Sequence, residues 1–279
     1  MMIPCEQTGI KLLVKSIPTE KELRRMERTV QIIRNRVERW LRIQYRRLLK
    51  EEFDEFAVLD HFPTEEEILT IVAKYTHHQE TILAQLYATL MPKISALVVP
   101  DDTLKAWSLG IETKDLEDID VRMQAWMREM MGINIRNIDS YTLERVRILY
   151  RSADGDLMTF QNSLEASGLF SDMRARRIAV TETTSGINKA IMETSKEVSF
   201  GRPLVKVWRT TGRRNVRNTH EAMEGVKVGI DERFEVPRPE GGFDHMLFPG
   251  DSSMSPVPAN IVNCHCISFT MYSDRAEPD

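Results

Sequence analysis

Cysteine is scarce: there are three in 279 residues. Two of them, Cys264 and Cys266, stand one residue apart, so no disulfide framework can be assembled. That usage suits a chain made in a reducing cytoplasm. Long apolar runs are missing as well. The most apolar stretch, Ile82 to Met91, is interrupted by Gln85 and Thr89 and falls short of the ~20 residues a membrane-spanning helix requires. The opening MMIPCEQTGIKLLVKS breaks its short apolar pieces with Glu6 and Lys11 and does not read as a signal peptide. We therefore expect no membrane partner. An excess of basic charge is lacking too. The 38 Lys and Arg against 42 Asp and Glu leave −4, which excludes coating nucleic acid by net charge but leaves room for a local basic patch.

What is present is an ordinary globular balance, 42% apolar and 29% charged, in a chain long enough to bury a core. The charges are segregated. Lys21 to Lys50 holds eleven Lys/Arg and three Glu, a net +8, and Glu51 to Thr70 holds eight Asp/Glu and no Lys/Arg, a net −8. Mutual neutralisation across adjacent helices is one reading. The other is a basic face for DNA or an acidic partner, built from Arg34, Arg36, Arg39, Arg42, Arg46 and Arg47, with Arg213 and Arg214 in the later RRNVR run. No aromatic stacking set is interleaved with these arginines, which favours the first reading.

The first 170 residues carry helical periodicity. Leu23, Met26, Val30, Ile33, Val37 and Trp40 recur at alternating spacings of three and four, then the stripe slips to Leu41, Tyr45 and Leu48. Thr64 with Glu67 forms a capping box, opening a helix that Pro92 is expected to end. His77 and His78 are adjacent, hence ~100° apart on that helix, and cannot share a metal face. Further helices are expected over 102–109, from Thr113 to a stop at Gly132, from Asp139 or Ser140 onward, and through Leu157 to Leu164. Ser171 caps one more long helix. Beyond Phe200 the character changes, with seven of the twelve prolines and seven of the thirteen glycines. Strands are expected at 204–210, at VKVGI and RFEV around an Asp231-Glu232 turn, and after NCHC, where Ile267 and Phe269 share a face; 237–258 reads as a long ordered loop. The expected class is α+β: a helical region over 1–170, then a small α+β domain over 171–279 with a long helix, short antiparallel strands and long loops.

The residues with chemical potential concentrate in that second part, and three readings compete. Cys264 and Cys266, with His220 or His245, offer soft ligands for zinc, but a C-x-C pair in a loop is closer than the usual zinc spacing. A cysteine with His220, oriented by Asn263, would make a nucleophilic dyad, yet no strand-to-helix elbow presents it. The third reading, which we take forward, is structural. Arg217, His220 and Asp251 hydrogen-bond across irregular backbone, Trp208 is core, and the thiols act as small buried hydrophobes.

Several pieces then fall in an order that resembles the Mu F-like phage head morphogenesis domain, found in minor head proteins of tailed phages and prophages. They are RIAVTE with Arg177, Thr181 and Glu182; Trp208; the Arg217, His220, Gly225 series; Phe234; Pro249-Gly250-Asp251; and Asn263-Cys264-His265-Cys266. The resemblance covers about 171 to 272 and rests on the ordered series. His265 and Val180 depart from it, since the family favours Arg at both. The resemblance implies a minor head protein acting in head morphogenesis in the head interior or near the portal. Its implied partners are the portal protein and scaffold or major capsid protein; DNA stays the second reading, from the basic helix and the RRNVR run. The residues of the ordered series would then be structural signatures, with no catalytic residue, metal ligand or cofactor assigned. With seven residues after Tyr272, no C-terminal effector is expected.

Overall fold

The computed structural model describes residues 20–98, 114–199, 203–210 and 216–273. The helix expected over 102–109, and Arg213 and Arg214, lie outside them. Six helices of ten residues or more come first: α1 (Glu20–Ala57), α2 (Glu65–Lys74), α3 (Thr76–Val98), α4 (Lys114–Ser152), α5 (Leu157–Ala166) and α6 (Asp172–Val198). Then follow β1 (Leu204–Arg209), the short α7 (Asn218–Glu221), β2 (Lys227–Gly229), β3 (Phe234–Pro237), β4 (Phe243–Met246), the short α8 (Pro258–Ile261) and β5 (Ile267–Tyr272). The class is α+β, with the helical part first and few short antiparallel strands.

The stripe on α1 buries Leu23, Val30, Val37, Leu41, Tyr45 and Leu48, as its periodicity predicts, along α6 and α3. The capping box at Thr64 is formed: the hydroxyl accepts from Glu67 N at 3.2 Å and the Glu67 carboxylate accepts from Thr64 N at 2.8 Å. Its helix is shorter than expected, because Tyr75 breaks the run into α2 and α3. Pro92 does not end α3, which continues to Val98. Leu90 and Ile94, both fully buried, anchor the turns on either side of the proline, and that packing outweighs the lost backbone bond. Gly132 does not interrupt α4 either. The helix runs through it because Asn134 and Ile135 are held inside, and Asp139, rather than capping a new helix, accepts from Thr76 Oγ1 at 2.8 Å and Gln79 Nε2 at 2.6 Å.

One sheet has the order β2-β1-β5, with Leu204 opposite Tyr272 and Val205 opposite Gly229. The other is the hairpin β3-β4, with Phe234 opposite Met246. VKVGI and RFEV therefore belong to different sheets. β4 lies inside the stretch expected to be loop. Its alternation is inverted, with Phe243 exposed and Asp244 buried, so the apolar pattern concealed it. Asp244 is tolerated inside because Arg238 Nε, Asn260 Nδ2 and Val257 N donate to it at 2.7, 2.8 and 3.1 Å.

The largest hydrophobic core draws on α1, α3, α4, α6 and β5 together, so it does not divide at residue 170. A second core joins the end of α1 to α2, α4 and α5. A third, small one is Trp208, Met223, Phe234, Val236, Met246, Cys264 and Cys266. Where the strand domain meets the bundle, a polar relay is buried. Ser252 Oγ donates to Asn134 Oδ1 at 3.0 Å, and Asn134 Nδ2 donates to Glu182 at 2.6 Å.

Burial lifts the Glu182 carboxyl from 4.5 to about 7, against the lowering pull of its hydrogen bonds. Burial likewise lifts Glu52 to about 8, with Arg174 opposing. A raised carboxyl favours the folded state fully below its unfolded value, and that contribution is lost as pH climbs through the folded value. Stability should therefore fall between about pH 4.5 and 8. Glu182→Gln keeps an acceptor for Asn134 and should remove about 3 kcal/mol of that fall, leaving the part due to Glu52. Urea midpoints at pH 5 and pH 8 measure it; an unchanged pH slope would refute the assignment.

Candidate functional site

The residues singled out for chemistry meet in the small core. Trp208 on β1 is fully buried and presents its ring edge-on to His220 (centroids 5.4 Å, 79°) and to Phe234 (5.3 Å, 84°). His220 sits on α7, and its Nδ1 lies 3.5 Å from Cys264 Sγ and 3.5 Å from Cys266 Sγ. Cys266 N also donates toward Cys264 Sγ at 3.4 Å. All three side chains are shut in, His220 and Cys264 at 2% exposure and Cys266 at 4%. His220 Nε2 is buried with no hydrogen-bond partner among the described residues. The two thiols are not equivalent. The hydrogen bond from Cys266, aided by His220 and opposed by burial, holds Cys264 well below the ordinary thiol range. The same bond, and then burial, push Cys266 up.

What fixes both sulfurs is a polar face on α6. Thr181 Oγ1 accepts from Asn263 N at 3.0 Å, and Thr184 Oγ1 donates to the Cys264 carbonyl at 2.6 Å. Asn188 Nδ2 donates to the Pro249 and Cys266 carbonyls at 2.8 and 3.1 Å, and Asn188 Oδ1 accepts from Ser268 N at 2.9 Å. Thr184 and Asn188 were absent from the expected set. Their signal was legible, since 181, 184 and 188 step three and four residues along one helix face. Gly250 lets the Pro-Gly-Asp loop reach α6: its φ is +87°, and a Cβ there would lie 3.2 Å from Ser185 N.

The other signature residues act locally. Asp251 accepts from Leu247 N, Ser253 N and Arg233 at 2.8, 3.0 and 3.1 Å, which holds the loop after β4. The Arg217 guanidinium donates to the Val262 carbonyl. Gly225, at φ +78°, turns so that its N–H donates to the Trp208 carbonyl at 2.8 Å. Asn263 takes φ +59° just before the cysteines. Glu182 belongs to the relay beneath the loop. The Arg177 side chain is exposed and its carbonyl accepts from Thr181.

His265 points away from the cysteines. Its carbonyl accepts from Arg34 of α1, and its Nδ1 lies 3.6 Å from Glu38 Oε1. That corrects one member of the proposed basic face: Arg34 is fully buried and serves the fold. Arg36, Arg39, Arg42, Arg46 and Arg47 are exposed, with Arg42 paired to Asp172 and Arg47 to Glu51. The acidic block does not cover the basic one from a neighbouring helix. Among the described residues the two meet within α1, through Arg47–Glu51 and Lys50–Asp54. His245 is exposed on β4 and is not among the cluster residues.

Comparison with known proteins adds little. No family model matches the chain, and no solved structure does. A stretch of 102 residues is 33% identical to a Bacillus subtilis (strain 168) protein carrying the name "Uncharacterized protein YqbB". It covers 35% of this chain and 30% of that protein, so the chain spans less than a third of the relative it matches.

Removing the Asn188 amide leaves two carbonyls and one N–H without their partner in a dry interior. Asn188→Ala should cost about 3 kcal/mol, more than alanine at an exposed site such as Asn162→Ala, in urea denaturation. Equal midpoints for the two variants would refute the bracing role.

Proposed function

We propose that this chain is a minor head protein of a tailed phage or prophage, working by assembly rather than turnover close to the portal, in the interior of the head. The observation that carries the reading is the convergence of the family-like pieces. Residues spread from Thr181 to Cys266 meet around one small core and the loop beside it, and nearly every one has a bonding or packing duty there. The sulfurs are sealed from substrate, which favours a scaffold over a cysteine enzyme.

The assembly surface on this reading is the outward face of α1. Arg25, Arg28, Ile32, Arg36, Arg39, Ile43 and Arg46 follow one another at spacings of three and four, and all are exposed. Ile32 and Ile43 are 59% and 57% exposed, so the face mixes cations with bare aliphatic side chains. Such a face suits a protein partner with an acidic, partly apolar surface. The test uses the full chain, because the shared core leaves the part after Ser171 without its packing partner. Co-expressed with the portal protein of the same genome, the chain should elute with it in gel filtration. Ile32→Glu with Ile43→Glu should abolish co-elution while leaving the monomer's melting temperature within a few degrees. Separate elution of the unmutated pair would sink the reading.

DNA contact is the second reading, favoured by the exposed cations Arg36, Arg39 and Arg46 on one face of α1. If phosphates occupy the face, the log–log salt slope of DNA binding should become shallower by about 2 to 3 on reversing those three charges. Absence of DNA binding at low salt removes this reading.

A further inference from the structure

We propose that His220, Cys264 and Cys266 hold one zinc ion that staples the strand domain, with His220 Nδ1 and the two cysteine sulfurs as its protein ligands. The three ligand atoms all lie within 4.8 Å of one another. Each sulfur is 3.5 Å from Nδ1. A tetrahedral ion with Zn–S of ~2.3 Å and Zn–N of ~2.0 Å sets its sulfur and nitrogen ligands roughly 3.6 Å apart, so the ion fits between the atoms with little movement. The donors are soft and borderline, the set that thiophilic zinc prefers to magnesium or calcium.

The short C-x-C spacing, an objection in a loop, is an advantage here. Cys264 and Cys266 lie on the run into β5, where alternate residues face the same side. His265, between them, turns to Glu38 on α1 and leaves the two sulfurs together. Thr184 and Asn188 bind the carbonyls of Cys264 and Cys266, so the backbone that carries the two sulfurs cannot shift without breaking buried hydrogen bonds. The ligand shell is thus held before any ion arrives.

The site also answers a need. The third core has seven buried members, two of them the cysteines, and it must hold β1, α7 and the β3-β4 hairpin. Cores of that size are commonly reinforced by a metal or disulfides. A tie from His220 to Cys264 joins residues 44 apart in sequence and encloses that hairpin. Among the described residues no fourth Cys, His, Asp or Glu joins the group, so a water or other small donor completes the tetrahedron. The inference does not rest on the head-protein reading and survives its failure.

The full chain, expressed with zinc in the medium and purified in reductant, should carry about one zinc per chain by elemental analysis. Zinc should fall at least fivefold in Cys264→Ser and in His220→Asn. Since loss of zinc in either variant could follow from unfolding alone, the unmutated chain supplies the second readout. Stripped with a chelator, it should melt at least ~5 °C lower. Refilled with cobalt(II), it should show thiolate charge-transfer absorption and tetrahedral d–d bands that added zinc bleaches. Four results would overturn the proposal: a folded, reduced chain that takes up neither ion; zinc retained in the double variant Cys264→Ser, Cys266→Ser; a Cys264–Cys266 disulfide in the freshly isolated chain; or copper(I) in place of zinc.

Discussion

Everything in the strand domain depends on three hydrogen-bonding side chains on one face of α6. Thr181, Thr184 and Asn188 take hold of the backbone from Asn263 to Ser268, where no regular sheet bonding is available until β5 begins. A buried carbonyl or N–H without a partner costs more than a made hydrogen bond returns, so these contacts are strongly directional. They decide which way Cys264, His265 and Cys266 face. Two sulfurs turn inward to His220, and one imidazole turns outward to α1.

The same helix ties two regions into one body. α6 lies in the main core with α1 and α3, and β5 lays Ile267 and Phe269 onto that core. Arg34 reaches from α1 to the His265 carbonyl, and the Ser252-Asn134-Glu182 relay links the Pro-Gly-Asp loop to α4 and α6. Neutralising a carboxylate inside a bundle is the cost of building that relay in a dry place. The helical part is therefore the platform on which the strand domain is folded.

The His-Cys-Cys cluster is sealed, whereas the outward face of α1 is open and mixes arginine with isoleucine. A second feature of the surface has the opposite sign. A cleft of about 900 Å³ between the end of α1 and α2 is rimmed by Glu51, Asp54, Glu55, Glu66 and Glu67 around Leu59 and Ile71. The segregated charge of the sequence thus becomes two surfaces of opposite sign along the same bundle, joined at Arg47–Glu51 and Lys50–Asp54. Polar contacts of this kind govern orientation and encounter more than raw affinity.

Local signals were enough for the elements whose neighbours agree with them. The stripe of α1, the Thr64 capping box, the Ser171 cap of α6, and β1 and β5 were all legible, because periodicity and capping are short-range effects. The passage of α3 through Pro92 and of α4 through Gly132 was hidden, since the packing of Ile94 and Asn134 overrules the breakers only once the bundle exists. β4 was hidden because its buried residue is Asp244, paid for by partners far along the chain. The chain's own order of residues determined that Arg217, His220, Asp251 and the cysteines belong to one irregular domain. Only the tertiary structure decided that each sulfur comes to 3.5 Å from His220 Nδ1, because residues 44 and 46 positions apart are brought together by a helix face that lies still earlier in the chain.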